Sequence, residues 1–279
     1  MIEIGKFNML VISGQRDNRY YLDGQELGEI MLADQELPKL VKVGGPLKVF
    51  VYIDGKNQIV ATQVAPKVQV NEVSLLKCVS LSHAGAFLDW GLPKDLLLPF
   101  SEQKGKVVEG RSYLVRLFLD ENNRIAASML LDDFIQDQAF YYKDGQSVEL
   151  VIAEETELGF KAVVDNRYWG VLYKNEIFQP LQRGQRLSGF IKKVRPDQKL
   201  DLILSQEKYG QKVDATSAKI LAILEKRGGY VALTDKSPPE IIYDTFGVSK
   251  KVFKQAIGSL YKQRQIIIEE NGIGLVAGH

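Results

Sequence analysis

The side chains with chemical potential in this sequence are aromatic and cationic, and their spacing is not that of a catalyst. Phe87 stands in GAFLDWG with His83 and Trp90 on either side, and Arg124 follows Asp120 by four residues in LFLDENNRIAAS. Farther on, Phe160, Tyr168, Trp169 and Tyr173 precede a stretch in which Arg183, Arg186, Lys192, Lys193, Arg195 and Lys199 face only Asp197. Rings that stack on bases, beside cations that track phosphates, are the means by which proteins hold single-stranded nucleic acid. The carboxylates are scattered, Cys78 is the single cysteine, and His83 and His279 are the two histidines. No acid-base cluster and no zinc-ligand spacing results, so the expectation is a non-enzymatic protein without cofactor or structural metal.

The elements that must position these residues come from an internal repeat. GGPLKVFVYIDGKNQIVATQ from Gly44, EGRSYLVRLFLDENNRIAASM from Glu109 and RGQRLSGFIKKVRPDQKLDLILSQ from Arg183 share a Gly, an apolar strand, a polar turn and a second strand. An Asp precedes a Ser or Thr by eight residues in each: Asp54 and Thr62, Asp120 and Ser128, Asp197 and Ser205. Upstream, Tyr21, Leu22 and Asp23 align with Phe87, Leu88 and Asp89, and with Val163, Val164 and Asp165. Each unit thus predicts five short strands with period-two alternation. Closing such a sheet into a small OB-type barrel removes its exposed edges. Tyr20 and Tyr21 follow Arg19 in the first copy, and only one of the two can point outward from a strand.

All three units resemble the S-one RNA-binding domain, the second most closely. Its GAFLDWG resembles the family's glycine-alanine-phenylalanine strand, and Asp120, Arg124 and Ser128 fit the family's closing hairpin. The resemblance implies base stacking on Phe87 and phosphate contact by Arg124. In the third copy Phe160 and Tyr173 match the family's first aromatic and its histidine position, with Val163 in place of the second aromatic. Gln58 and Asp201 fall where Arg124 sits, which marks the first and third copies as departures from the pattern.

From about Thr216 the periodicity becomes helical. A helix ends at Arg227, Gly228 and Gly229. Ser237-Pro238-Pro239-Glu240 then predicts a capped second helix, and SKKVFKQAIGSLYKQRQ carries an i, i+3, i+4 apolar stripe. IIIEENGIGLV reads as a hairpin around Asn271-Gly272. This order resembles a winged helix, whose third helix would present Lys250, Lys251 and Lys254. The expected architecture is multidomain and mainly β with an α+β C-terminal domain: OB-type five-stranded barrels at 1–64, 65–131 and 145–206, then a winged helix at 212–279. Three S-one-like barrels and a winged helix are similar to the conserved virulence factor B family of Gram-positive bacteria. That resemblance implies RNA binding and post-transcriptional influence on gene expression.

Charge agrees with selective binding more than with bulk attraction to phosphate. The 36 basic and 35 acidic residues give a net +1, and only 207–279 is distinctly basic, with 11 basic against 8 acidic residues. No signal peptide or membrane-length apolar run is found, so the cytoplasm is expected and no membrane partner. The expected partner is single-stranded RNA. The alternatives are a DNA-binding regulator acting through the winged helix and a protein-interaction scaffold. Oligomeric state and base preference leave no trace in the sequence.

Overall fold

The computed structural model describes every residue except 34–41, 178, 205–208 and 277–279, and for 209–215 it describes the backbone alone. Strands β1 (Phe7–Arg16), β2 (Arg19–Asp23), β3 (Glu29–Leu32), β4 (Pro46–Ile53) and β5 (Ile59–Thr62) close into a barrel in the order β1-β2-β3-β5-β4. Leu10 and Ile12 of β1 are buried while Met9 before them and Val11 between them are exposed, the alternation of a strand with one wet face. Closure comes from a parallel pairing of β3 with β5, Met31 opposite Val60.

The same plan recurs twice. The second barrel holds β6 (Val73–Ser82), β7 (Gly85–Asp89), β8 (Leu96–Pro99), β9 (Ser112–Leu119) and β10 (Ile125–Ser128). The third holds β11 (Ser147–Glu155), β12 (Gly159–Val164), β13 (Tyr168–Tyr173), β14 (Arg186–Val194) and β15 (Leu200–Ile203). In every barrel the first strand is bulged near its middle, at Ile12/Gly14, Cys78/Ser80 and Ile152/Glu154. A bulge bends the strand so that it can serve both sides of a strongly curved sheet. Gly85 and Gly159 start the second strands at φ +143° and +155°, and a Cβ there would lie 2.3 Å from the Leu98 carbonyl oxygen and 1.9 Å from that of Leu172. Glycine is what lets the neighbouring strand come so close.

The barrels pack on one another through strand faces that the alternation marks as outer. Along β4 the pattern turns continuously buried from Val49 to Tyr52, because Phe50 and Tyr52 are covered by Trp90 of the second barrel. Val73 and Leu114 of the second barrel likewise join Val151, Val163 and Trp169 of the third.

The C-terminal domain has its own core. Helices α1 (Tyr209–Lys226), α2 (Pro239–Phe246) and α3 (Lys250–Lys262) pack with a sheet ordered β16-β18-β17, made of β16 (Tyr230–Val231), β17 (Ile266–Ile268) and β18 (Ile273–Leu275). The Ser249 hydroxyl caps α3 by accepting the Val252 N–H at 3.2 Å. Pro239 opens α2 as expected, whereas Ser237 does not cap it: Pro238 occupies that position, and the Ser237 hydroxyl accepts the Thr234 N–H. The barrels with their C-terminal winged helix make the chain mainly β, as the sequence led us to expect.

Candidate nucleic-acid interface

On β7 the side chains of Ala86 and Leu88 enter the core, and Phe87 points outward, half-buried, opposite Leu97 of β8. Phe87, Phe118, Asp120 and Arg124 line one groove of about 490 Å³, with Ile53 of the first barrel and Lys94 at its margin. Arg124 Nε donates to Asp120 Oδ2 at 2.8 Å, and Asp120 Oδ1 accepts the backbone N–H groups of Asn122 and Arg124. Burial by itself raises the Asp120 pKa, but the hydrogen bonds from Arg124 and Asn122 and the charge of Arg124 outweigh it. The carboxyl is held below its ordinary value. The Asp120 carboxylate therefore holds the guanidinium by one edge, and the Arg124 side chain stays 60% exposed.

Phe118 and Lys94 escaped the sequence reading. Phe118 lies two residues before Asp120 on the outward face of β9, so the alternation that ends at Asp120 was the signal for it. His83 is exposed in the turn between β6 and β7 and does not line the groove. Trp90 reaches only its edge: it is 3% exposed, wedged against Phe50 and Tyr52, and its indole N–H donates to the Lys94 carbonyl oxygen at 2.6 Å. Its ring joins two barrels and is not free to stack on a base.

The third barrel requires a correction of register by two residues. Gly159 corresponds to Gly85, and Lys161 opposite Val171 corresponds to Phe87 opposite Leu97. Val163 is buried under the second barrel and is not the counterpart of Phe87. In the closing hairpin the Asp120 N–H bonds the Arg124 carbonyl oxygen, and the Arg195 N–H bonds that of Lys199. Arg195 and Lys199 thus occupy the places of Asp120 and Arg124, where Asp197 and Asp201 were expected. Ile203 takes the place of Ser128, and Ser205 lies outside the described residues. The apolar repeat was preserved under a shift of two, which hid the error, because a shift of two keeps every side chain on its face.

The resulting face carries lysines and an arginine where the second barrel is aromatic, with Asp137 and Glu157 beside them and Lys161 paired to Asp132. Lys161, Arg195 and Lys199 line a cleft of about 470 Å³ with Trp169 and Leu158. Trp169 is 7% exposed at the junction of barrels two and three, with the Lys161 ammonium 3.8 Å from its ring centroid. Phe160 packs against the barrel core, as does Tyr168, whose ring meets that of Tyr142 edge-on. The Tyr173 hydroxyl accepts from Arg195 at 2.8 Å and donates to Asp201 at 3.1 Å, and Arg195 Nε donates to Asp201. Lys199 pairs with Asp137 at 3.5 Å, and Lys192 pairs with Glu176. Lys193 is exposed on β14 opposite Asp201.

In the first barrel Tyr20 packs on the core and Tyr21 faces outward, with the Arg16 guanidinium 4.4 Å from its ring centroid and paired to Glu29. Tyr52, the counterpart of Phe118, is buried beneath Trp90, and Lys94 donates to the Asp54 carbonyl oxygen at 2.8 Å. The second barrel thus covers part of the first barrel's corresponding face.

Residues 4–64 match the model of the S1 domain, the S-one type, and residues 218–275 match that of the CvfB-like winged helix domain. The C-terminal unit is thus similar to the CvfB-like winged helix. The chain is 26% identical to Conserved virulence factor B of Staphylococcus saprophyticus, over 98% of its own length and 94% of that protein's. It is 27% identical to the Bacillus subtilis protein called Uncharacterized protein YitL, over 94% and 90% of the two chains. A crystal structure from Streptococcus pneumoniae, described as a multidomain protein with nucleic acid binding domains, aligns at 25% identity over 98% of each chain with a TM-score of 0.42. The resemblance to the conserved virulence factor B family is borne out, and the domain types are those of nucleic-acid-binding proteins.

In the C-terminal winged helix, Lys250 is half-buried in the first turn of α3, and Lys251 and Lys254 are exposed. Lys254 pairs with Asp235 at 3.2 Å. The wing between β17 and β18 carries Glu269 and Glu270, both exposed, which would repel a phosphate backbone. Among the described residues no helix is long and apolar enough to cross a membrane, and no group of His, Cys, Asp and Glu is placed to hold a metal ion.

Proposed function

We propose that this protein binds single-stranded RNA without catalysis and acts in the cytoplasm as a post-transcriptional regulator of gene expression, virulence genes included. Its working units are 1–64, 65–131, 145–206 and 212–279. The observation that carries this reading is the groove of the second barrel, where an outward Phe87 shares one surface with Phe118 and an Arg124 anchored at one edge. A ring of this kind accepts any base face, and the exposed edge of the guanidinium suits a phosphate. The lysine and arginine cleft of the third barrel supplies a second phosphate-holding surface. The acidic wing and the pairing of Lys254 favour RNA held by the barrels over DNA held by α3.

Fluorescence anisotropy with short single-stranded RNA and DNA at two salt concentrations tests the proposal. RNA is expected to bind and to weaken as salt rises, because phosphate contacts release counterions. Phe87→Ala should cost roughly 1–3 kcal/mol of RNA binding, about 5- to 150-fold in Kd. Absence of binding to either strand at low salt would replace this reading with that of a protein-interaction scaffold. Turnover of RNA in the same samples would contradict the binding-only assignment.

A further inference from the structure

A cleft of about 460 Å³ opens where the second and third barrels meet, away from the stacking groove, lined by Lys6, Glu72, Arg116, Asp165 and Arg167 among others. Its geometry rests on two asparagine turns. Asn71 and Asn166 take left-handed backbone angles, φ +72° and +58°, and present oxygens to one guanidinium. Arg116 Nη1 donates to the Asn166 carbonyl oxygen at 2.6 Å and Nη2 to Asn71 Oδ1 at 3.2 Å, above the ring of Phe134. Both acceptors are neutral, and the buried Nε of Arg116 has no partner.

The acids of the cleft are already engaged. Asp165 Oδ1 accepts the Glu149 N–H and Oδ2 accepts the Tyr142 hydroxyl, both at 2.8 Å. Glu72 accepts the N–H and the side-chain amide of Gln69. Lys6 pairs with Glu3. Among the described residues, neither Arg116 nor Arg167 has a carboxylate within ion-pairing distance. Lys6, Arg116 and Arg167 thus face one cavity with Glu72 and Asp165, whose carboxylates keep their charge but lie outside ion-pairing distance of both guanidiniums, and the two guanidiniums repel: burial together with Arg167 pushes the Arg116 pKa down. An anion between them would relieve that repulsion and use the planar donors that the asparagines leave free.

We propose that this cleft binds a phosphate group, held by Arg116 and Arg167. The phosphate belongs either to the backbone of a bound RNA, which rests on the reading above, or to a free anion. Arg167 is exposed and engages its neighbours through its backbone, so Arg167→Gln removes the charge with the fold intact. Arg116→Lys is the second variant, keeping the charge and losing the fork.

Two measurements are made on the full chain and on both variants. In the first, potassium phosphate replaces potassium chloride at constant ionic strength. The thermal midpoint of the wild type should rise by about 2 °C or more, and Arg167→Gln should abolish the rise. In the second, the slope of log affinity for single-stranded RNA against log salt should fall by about 0.7 in Arg167→Gln, the value for one lost phosphate contact. Dependence on Arg167 in the first measurement alone identifies a free anion, and dependence in the second identifies an RNA phosphate. Absence of dependence in both overturns the site, whether or not RNA binds. A wild type that binds no RNA yet gains stability from phosphate through Arg167 leaves the site standing and removes the RNA reading.

Discussion

Phe87 and Trp90 are three residues apart and have opposite roles. Phe87 is an outward ring on a groove, and Trp90 is a buried wedge between barrels. Trp90→Ala should therefore destabilise the protein by about 3–5 kcal/mol, visible as a lowered denaturation midpoint. Phe87→Ala should lose RNA affinity with little change in that midpoint; an equal loss of stability in both variants would make Phe87 a core residue. Asp120 gives a pH expectation with a definite sign. Its folded pKa is depressed, so its contribution is in place above the ordinary carboxylate value near ~3.9 and is lost as pH falls through the lower folded value. Asp120→Asn should flatten the acid limb of a stability-against-pH curve and leave the neutral region unchanged in shape. Cys78 is wholly buried, with its thiol pKa pushed up by that burial. It should resist alkylation in the folded protein and react on unfolding.

The strands explain why some of these residues could be found in the sequence and others could not. The S-one resemblance implied an outward Phe87, and alternation allowed only one of Tyr20 and Tyr21 to face outward, which the structure shows to be Tyr21. Alternation could not distinguish a shift of two residues in the third barrel, and so Val163 stood where Lys161 belongs. The feature that settles the register is Gly159, whose backbone is approached by the Leu172 carbonyl as that of Gly85 is by Leu98. Gly85→Ala should accordingly collapse the second barrel, because the Cβ would meet rigid backbone at 2.3 Å from Leu98 and 2.9 Å from Pro99. Far-ultraviolet circular dichroism and thermal denaturation will show a large loss. A near-native midpoint would mean that β8 can move away and that the glycine is not required.

Across the whole molecule, the three barrels adhere through strand faces and the winged helix keeps a separate core. Removal of 209–279 should consequently leave the barrels folded and reduce RNA affinity by a modest factor; abolition of binding would shift the function to α3. The sequence by itself determined the number and kind of modules, the element order of the C-terminal domain, and the Asp120 and Arg124 pair. The repeat and the C-terminal elements follow from side-chain alternation, helical periodicity and turn residues, whereas the kind of barrel and the Asp120 and Arg124 pair follow from the S-one resemblance. Only the tertiary structure decided which aromatic rings remain available. Trp90 and Trp169 look like stacking residues in a linear reading and become junction residues once the next barrel covers them. The physical reason is that an outer strand face is exposed only until another body packs on it. Local periodicity says which way a side chain points and nothing about what it meets.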